Sequence, residues 1–261
     1  MPDTTQGLAI VGPGLIGTSV ALAAKRRWPD LEVRTVDRGQ SLSAIGNALV
    51  VVLSAPVNAI LAAIPQLPMV IQPHALVIDT GSTKRAIMSA AAHAGIQHFV
   101  GGHPMAGGTS AADARADLFD GRAWFLSNPD SPDAVRRASK FVEALGARPV
   151  VLTDHGEEHD RLMAAVSHLP QVTATMLMAI VARAAGADNL HWAGDGLRDT
   201  TRLAASPAAM WESVLASNSQ ELRPLLKYLA SELAGFADRL EDPEAVRNLF
   251  NEANRAKSAL Q

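Results

Sequence analysis

Short runs of Val, Ile and Leu alternate with alanine-rich amphipathic stretches from the N-terminus to about Thr153. Brief β-branched runs are typical of buried strands, and strands that alternate with helices favour an α/β fold around a doubly wound parallel sheet. The predicted strands are Leu8–Val11, Leu31–Val36, Leu49–Leu53, Leu76–Ile78, Gln97–Val100, Ala123–Leu126 and Pro149–Leu152. The predicted helices between them are Gly17–Arg27, Val57–Gln66, Lys84–His93 and Pro132–Leu145.

The pattern changes after Thr153, where long Ala-, Leu- and Met-rich stretches with helical periodicity replace the strands. We therefore expect two domains, a sheet domain over residues 1–153 and an all-α domain over residues 154–261. The first helix of the second domain, Asp154–Ala185, is apolar around much of its circumference and needs burial on several sides. A subunit interface supplies that burial, so the helical domain is expected to form a homodimer.

Composition narrows the classes of partner. The formal net charge is -3 at pH 7, so no global positive field attracts nucleic acid or an anionic membrane surface. The chain has no cysteine, which excludes disulfides and thiolate chemistry and is typical of a reducing compartment. The N-terminus lacks a signal peptide, and no uninterrupted apolar run reaches the roughly 18 residues of a spanning helix. A cytoplasmic protein that binds neither nucleic acid nor membrane is expected.

A glycine motif follows the first predicted strand directly. Gly12, Gly14 and Gly17, with Leu15 and Ile16 before the last of them, form the pattern G-x-G-x-x-G between a strand and a helix. The glycines permit a tight turn, close approach of a pyrophosphate and close packing of helix on strand, and the helix N-terminus offers N–H groups to phosphate. This arrangement predicts a dinucleotide-binding domain of the Rossmann type.

An acidic residue, Asp37, closes the second predicted strand at the distance expected for a contact with the adenosine ribose. A carboxylate there accepts hydrogen bonds from the ribose hydroxyls and repels a 2′-phosphate, which favours NAD over NADP. Arg38 leaves NADP open, because a neighbouring arginine can accommodate that phosphate. Ser54 and Pro56, which follow the third strand, are predicted to complete the cofactor site.

His103 is the strongest candidate for chemistry. It follows the fifth predicted strand in a glycine-rich segment, and ligands of open parallel sheets bind outside the carboxyl ends of the strands. Pro104 restrains it toward an extended conformation. An imidazole that titrates near neutral pH can accept a proton from a substrate hydroxyl while hydride leaves the same carbon. Ser82, in the loop after the fourth strand, reaches the same edge.

At these residues the sequence resembles the prephenate/arogenate (cyclohexadienyl) dehydrogenases, and the resemblance extends through most of the chain. Many dehydrogenases share the glycine motif, whereas the segments GGHPMAG and SHLP in this order are specific. The motifs that carry the resemblance are Gly12–Gly17, Asp79–Lys84, Gly101–Gly107, Ser167–Pro170, Leu197–Arg202 and Met210–Trp211.

The resemblance implies an NAD-dependent enzyme of tyrosine biosynthesis that oxidatively decarboxylates prephenate to 4-hydroxyphenylpyruvate, with no metal. It implies a nucleotide-binding domain, a helical dimerisation domain and an active site between them. It further implies that His103 interacts with the substrate ring hydroxyl, that Ser82 orients His103, and that Arg202 holds a substrate carboxylate. The other predicted substrate-binding residues are His168, Gln171 and Trp211.

Two departures from the family pattern leave alternatives open. Gln171 stands where prephenate-preferring relatives often have a histidine, so arogenate or dual use remains an alternative. The connection Arg38–Ala48 is too short for the helix and extra strand usual in the family, which keeps cofactor preference open. A β-hydroxyacid dehydrogenase or imine reductase would favour a lysine on Asp154–Ala185, which has none. A non-catalytic NAD-sensing protein is an alternative of another class.

The long helix sets a further question of geometry. His159 and His168 are nine positions apart, which puts them on opposite faces of a straight helix, and the family pattern favours His168 for ligand contact. Pro170 removes a helical hydrogen bond, so a bend is expected beside it. The residues that could instead form a surface ion-pair cluster are Arg198, Asp199 and Arg202.

Overall fold

The computed structural model describes residues 7–108 and 110–259 of the chain. Its strands form a single seven-stranded sheet in the order β2-β1-β3-β4-β5-β6-β7. The strands are β1 (Leu8–Val11), β2 (Val33–Val36), β3 (Val50–Leu53), β4 (Leu76–Asp79), β5 (Phe99–Pro104), β6 (Ala123–Ser127) and β7 (Arg148–Leu152). Each predicted strand is therefore present, with bounds that differ by a few residues.

Helices cover both faces of this sheet. The helices are α1 (Leu15–Arg27), α2 (Val57–Ala63), α3 (Arg85–His93) and α4 (Pro132–Ala144). One hydrophobic core packs α1 and α4 on one face, and a second core packs α2 and α3 on the other. Because successive side chains of a strand face opposite ways, Leu8 and Ile10 enter the first core and Ala9 the second. The doubly wound arrangement is confirmed.

The sheet is parallel from β2 to β5, and β6 then runs antiparallel to β5. This pairing lengthens β5, because Gly101–Pro104 bonds to Trp124–Ser127. The prediction that the strand ends at Val100 and gives way to a loop was wrong. His103 is a strand residue opposite Phe125, so a hydrogen-bonded ladder fixes its backbone.

The remaining chain is helical. The helices are α5 (Glu157–Met163), α6 (Leu169–Ala185), α7 (Asp195–Thr200), α8 (Ala208–Ser217), α9 (Ser219–Ala237) and α10 (Pro243–Ser258). Between α5 and α6 the chain forms a π-helical segment, Ala164–His168, so the three run as one continuous helix. Pro170 lies two residues further on. Because proline has no N–H to donate, the helix lacks one hydrogen bond there, and this favours a widened turn before it.

The helical domain presents apolar side chains that the sheet domain does not cover. They include Val166, Met176, Ile180, Tyr228, Leu233 and Phe250, each at least half exposed. Helix α10 has no buried residue. By length and composition alone, the continuous helix Glu157–Ala185 also qualifies as a membrane span, a test that interface and core helices pass as well.

Candidate active site

A cavity of about 350 Å³ opens at the carboxyl ends of β1, β2 and β3. Its lining includes Gly12, Gly14, Asp37, Ser54 and Pro56, which the sequence predicted as cofactor contacts. Leu15, Ile16 and Gly17 form the first turn of α1 beside it, where backbone N–H groups have no helical acceptor. The residues present therefore fit a dinucleotide.

The glycines of this turn meet three separate demands. Gly12 has a φ of 93°, and a Cβ there would lie 2.4 Å from the carbonyl oxygen of Ser54. At Gly17 a Cβ would lie 2.9 Å from Ile10, which would separate α1 from β1. Nothing lies within 4 Å of the Cβ position of Gly14, so this backbone is open to a ligand. Gly12 therefore permits the tight turn, Gly17 permits close packing of α1 on β1, and Gly14 permits the approach of a ligand.

Asp37 is exposed at the rim of the cavity, at the end of β2. Its carboxylate accepts the N–H of Arg38 at 2.6 Å, and its own N–H donates to Gln40 at 2.7 Å. The segment that follows forms only a short 3-10 turn, Leu42–Ile45, before β3. The adenosine side of the cavity is therefore built by a compact loop, as its length predicted.

A buried ion pair, Lys84 with Asp79, ties the ends of β4 and β5 together. Asp79 also accepts the N–H groups of Gly81 at 2.8 Å and Gly102 at 3.0 Å. Burial raises the pKa of Asp79 and lowers that of Lys84, and their mutual attraction opposes both shifts. This network fixes the loop that carries Ser82 against the strand that carries His103.

His103 stands at the head of a hydrogen-bonded chain of side chains. Its Nδ1 lies 2.9 Å from Nε2 of His159, and Nδ1 of His159 lies 2.9 Å from the carboxylate of Asp160. Asp160 also accepts the backbone N–H groups of Lys84 at 2.7 Å and Arg85 at 3.0 Å. The chain joins the sheet domain to the first helix of the second domain.

These contacts assign the ring protons. A carboxylate only accepts, so Nδ1 of His159 carries a proton, and in a neutral ring its Nε2 must then accept. Nδ1 of His103 consequently donates to His159. The remaining nitrogen of a neutral His103, Nε2, keeps a lone pair, and the ring is only partly buried. His103 can therefore accept a proton from a ligand through Nε2.

The charge states agree with this assignment. Burial, with the imidazoles of His159 and His168 and the ammonium group of Lys84, holds the pKa of His103 well below 6.5. Burial also lowers the pKa of His159, although Asp160 opposes that shift. For Asp160, burial would raise the pKa, but the hydrogen bonds from His159 and two backbone N–H groups outweigh it and lower the pKa. Both imidazoles are neutral and Asp160 is ionised near pH 7.

The family pattern favoured His168 over His159, and the two were expected on opposite faces of a straight helix. A π turn inserts one extra residue, so nine positions count as about eight, and the two histidines lie roughly 80° apart instead of 180°. Both rings are buried, and each contributes to lowering the pKa of His103. The adjacent residues His159 and Asp160 were the feature of the sequence that could have indicated a histidine oriented by a carboxylate.

His168 lies close enough to His103 to lower its pKa, and it packs against Trp211. The indole of Trp211 packs against the His168 ring with centroids 5.9 Å apart and an interplanar angle of 82°. The Nε1 atom of Trp211 is buried and has no hydrogen-bond partner among the described residues. Both predicted residues therefore lie together.

Gln171 has a different environment from the one expected. Its Nε2 donates to the carbonyl oxygen of Leu203 at 2.8 Å, and its Oε1 accepts from the hydroxyl of Ser206 at 3.3 Å. The buried amide thus pins the turn Arg202–Ala205 onto α6. Arg202 itself is exposed on that turn.

Two further predictions concern polar groups near the site. No hydrogen bond joins Ser82 to His103 within residues 7–108 and 110–259; the partner of the imidazole is His159. Arg198, Asp199 and Arg202 form no ion pair in the described part of the chain, so the alternative of a surface ion-pair cluster has no support there. The role of Ser82 stays a prediction.

Two family models match the chain and together span most of it. The nucleotide-binding domain of prephenate dehydrogenase matches residues 16–152, and the dimerization domain of prephenate dehydrogenase matches residues 155–251.

Individual relatives agree with these matches. The chain is 28% identical to a prephenate dehydrogenase of Lactococcus lactis, over 97% of this chain and 77% of that protein. The structure of Synechocystis arogenate dehydrogenase is similar at a TM-score of 0.81 and 26% identity, over 98% and 100% of the two chains. A prephenate dehydrogenase from A. aeolicus, solved with hydroxyphenyl propionate and NAD+, gives 0.88 at 22% identity over both entire chains. The chain belongs to the prephenate dehydrogenase family.

Proposed function

We propose that this NAD-dependent dehydrogenase oxidatively decarboxylates prephenate to 4-hydroxyphenylpyruvate, a step of tyrosine biosynthesis. The observation that carries the proposal is the chain from Asp160 through His159 to His103, which leaves Nε2 of His103 as a proton acceptor at the sheet edge that carries the glycine turn. Family membership supports the activity and sets aside the β-hydroxyacid dehydrogenase and imine reductase alternatives.

The residues divide the chemistry between them. When bound, NAD supplies the acceptor for the hydride from the substrate ring carbon. His103 takes the proton of the hydroxyl on that carbon through Nε2, the ring carboxylate departs as carbon dioxide, and the proton returns to the phenolate oxygen of the product. Because the ring becomes aromatic, the step is strongly favoured. We propose that Ser82 helps to orient the hydroxyl, and that Arg202 binds a substrate carboxylate with its planar guanidinium.

The proposed cofactor contacts follow from the shape of the cavity. Gly12, Gly14 and the first turn of α1 would hold the pyrophosphate, and Asp37 would hold the adenosine ribose. Ser54 and Pro56 line the same cavity. The exposed Asp37 carboxylate favours NAD over NADP, because it repels a 2′-phosphate. The NAD+ bound to the A. aeolicus enzyme is consistent with this choice.

A second substrate is supported by one observation. The amide of Gln171 is neutral and is already bonded to Leu203 and Ser206, so it adds no positive charge that would select a keto acid over an amino acid. The similarity to Synechocystis arogenate dehydrogenase agrees with that reading. We therefore propose arogenate as the alternative substrate.

One assay tests substrate and cofactor together. NADH or NADPH formation is followed at 340 nm with purified protein, prephenate or arogenate, and NAD or NADP. We expect turnover of prephenate with NAD at a kcat/KM at least about tenfold above that with NADP. Binding of NAD without reduction under either substrate would instead indicate a non-catalytic NAD-binding protein.

We propose a domain boundary at residues 153/154 and a homodimer formed by the second domain. β7 ends at Leu152 and α5 begins at Glu157, and the two family matches divide between residues 152 and 155. The exposed apolar residues of α6, α9 and α10 would be covered by a second copy. This burial also accounts for the apolar continuous helix without a membrane, in keeping with the cytoplasmic location we propose.

The dimer has a direct test. Light scattering after size exclusion should give twice the mass of one chain, and Ile180→Glu should shift the protein toward the monomer, because an interface does not accommodate an unpaired charge. Glu143→Lys, on the exposed face of α4 in the sheet domain, serves as a control for a charge change. A monomeric wild type at micromolar concentration would refute the assembly.

A further inference from the structure

We infer that Asn218 fixes the ring tautomer of His168, so that His168 presents Nε2–H to the substrate as a hydrogen-bond donor. The identity of the substrate that this donor binds rests on the proposed function. Asn218 lies between α8 and α9, remote in sequence from the glycine turn, the His103 strand and the SHLP segment, and it is 1% exposed.

The contacts of Asn218 determine which atoms donate. Its Nδ2 lies 2.7 Å from the backbone carbonyl oxygen of Asp160 and 3.1 Å from Nδ1 of His168. A backbone carbonyl can only accept, so the Asn218 atom between these partners must be the amide nitrogen. Its second proton then points to His168. Nδ1 of His168 therefore carries the lone pair, and the single proton of the neutral ring is on Nε2.

The surroundings of His168 keep the ring neutral. Burial lowers its pKa to about 4, with Asp160 opposing the shift and His159 adding to it. The groups around it are Asp160 and His159 on α5, the indole of Trp211 on α8 and the amide of Asn218. An imidazolium at this position would have to donate toward the Asn218 amide protons, which the geometry does not allow.

A neutral N–H donor has a definite preference among ligands. It binds an oxygen acceptor such as a carboxylate or keto group, and it does not repel an ammonium group as an imidazolium would. The buried Nε1–H of Trp211, which lacks a partner in the described part of the chain, offers a second donor of the same kind beside it. His168 is thus a positioning contact for a substrate oxygen that prephenate and arogenate share. Asn218 determines that the nitrogen facing this oxygen is a donor.

Nuclear magnetic resonance reads the tautomer without turnover. Long-range 1H–15N correlation spectra of the 15N-labelled full-length protein distinguish a protonated ring nitrogen from a pyridine-like one. The His168→Gln variant identifies the resonances of His168. At pH 7 we expect a pyridine-like Nδ1 and a protonated Nε2. A proton on Nδ1, or on both nitrogens, overturns the inference even if the enzyme is a prephenate dehydrogenase.

Kinetics of Asn218→Asp give an independent test. A carboxylate beside Nδ1 moves the ring proton to Nδ1 and raises the pKa of His168, so Nε2 donates only when the ring is protonated. We expect the KM for prephenate to rise about tenfold at alkaline pH and to recover as the pH falls, with the KM for NAD unchanged. A KM increase that is the same at every pH would indicate a merely structural role and contradict the inference.

The controls separate this inference from the proposed function. Asn47→Asp introduces the same charge in the exposed turn before β3 and should leave both KM values unchanged. If wild type turns over neither prephenate nor arogenate, the proposed function fails while the tautomer measurement still stands. If Asn218→Asp does not fold, the spectra of wild type decide alone.

Discussion

Replacing His103 by asparagine lowers kcat at least about a hundredfold and leaves the dissociation constant for NAD within about twofold. Asparagine keeps a donor for Nε2 of His159, so the hydrogen bond of 2.9 Å between the two side chains has a substitute. What disappears is the acceptor nitrogen at the sheet edge. Steady-state kinetics with prephenate and titration of NAD by protein fluorescence provide the two numbers.

A matched variant shows whether the effect is specific to the site. His93 is exposed at the end of α3, and His93→Asn should keep kcat within about twofold of wild type. A near-normal kcat in His103→Asn would remove His103 from its role as proton acceptor, whatever the result for NAD.

The pH dependence of kcat/KM in the wild-type enzyme reports on the pKa of His103. In the proposed mechanism His103 acts in its neutral form, and burial together with His159, Lys84 and His168 holds its pKa well below the ordinary 6.5. A base with a lowered pKa stays active as the pH falls, and loses activity only below that pKa. We expect kcat/KM to stay level through pH 6.5 and to decline at lower pH. A decline centred at 6.5 or above would contradict the assigned environment.

Replacing Lys84 by methionine lowers the free energy of unfolding by about 3 to 5 kcal/mol. The Lys84 and Asp79 side chains are 1% and 0% exposed, so the variant leaves a carboxylate in the interior with only the N–H groups of Gly81 and Gly102 as partners. Equilibrium unfolding in urea, followed by circular dichroism, measures the loss. A change below about 1 kcal/mol would show that the pair is not a buried ion pair.

Two controls interpret that loss. The double variant Asp79→Asn/Lys84→Met removes both charges and keeps an acceptor oxygen for one of the two backbone donors, so it should be more stable than Lys84→Met alone. Arg26 and Asp120 form an ion pair at 2.7 Å with both side chains about half exposed. Because solvent screens that pair, Arg26→Met should cost less than about 1 kcal/mol.

The strands and the cofactor turn were predictable because their signals are local. Buried runs such as Val50–Leu53 need β-branched residues, and Gly12 needs a positive φ beside Ser54. The direction of β6 was not predictable, because alternation of side chains is the same for parallel and antiparallel strands. For that reason His103 was placed in a loop and not on β5.

The polar network of the site was only partly predictable. His103 and His168 stand in recognisable motifs, whereas His159 acquires its contact from the packing of α5 beside β5, and Asn218 from the approach of α9 to the π-helical segment. Single-sequence periodicity assumes regular helices and contains no information on such long-range contacts. Gln171 illustrates the converse, since its position was identified and its partners, Leu203 and Ser206, were not.

The π-helical segment Ala164–His168 makes the length of this stretch matter more than its composition. Because the π turn holds one extra residue, the same stretch wound as regular α-helix at unchanged length would rotate everything after it by about 100° relative to α5. His168 would then leave the side of the helix that His159 occupies, although neither side chain had been altered. A deletion of one residue therefore keeps the two rings on one side only if the π turn is lost with it.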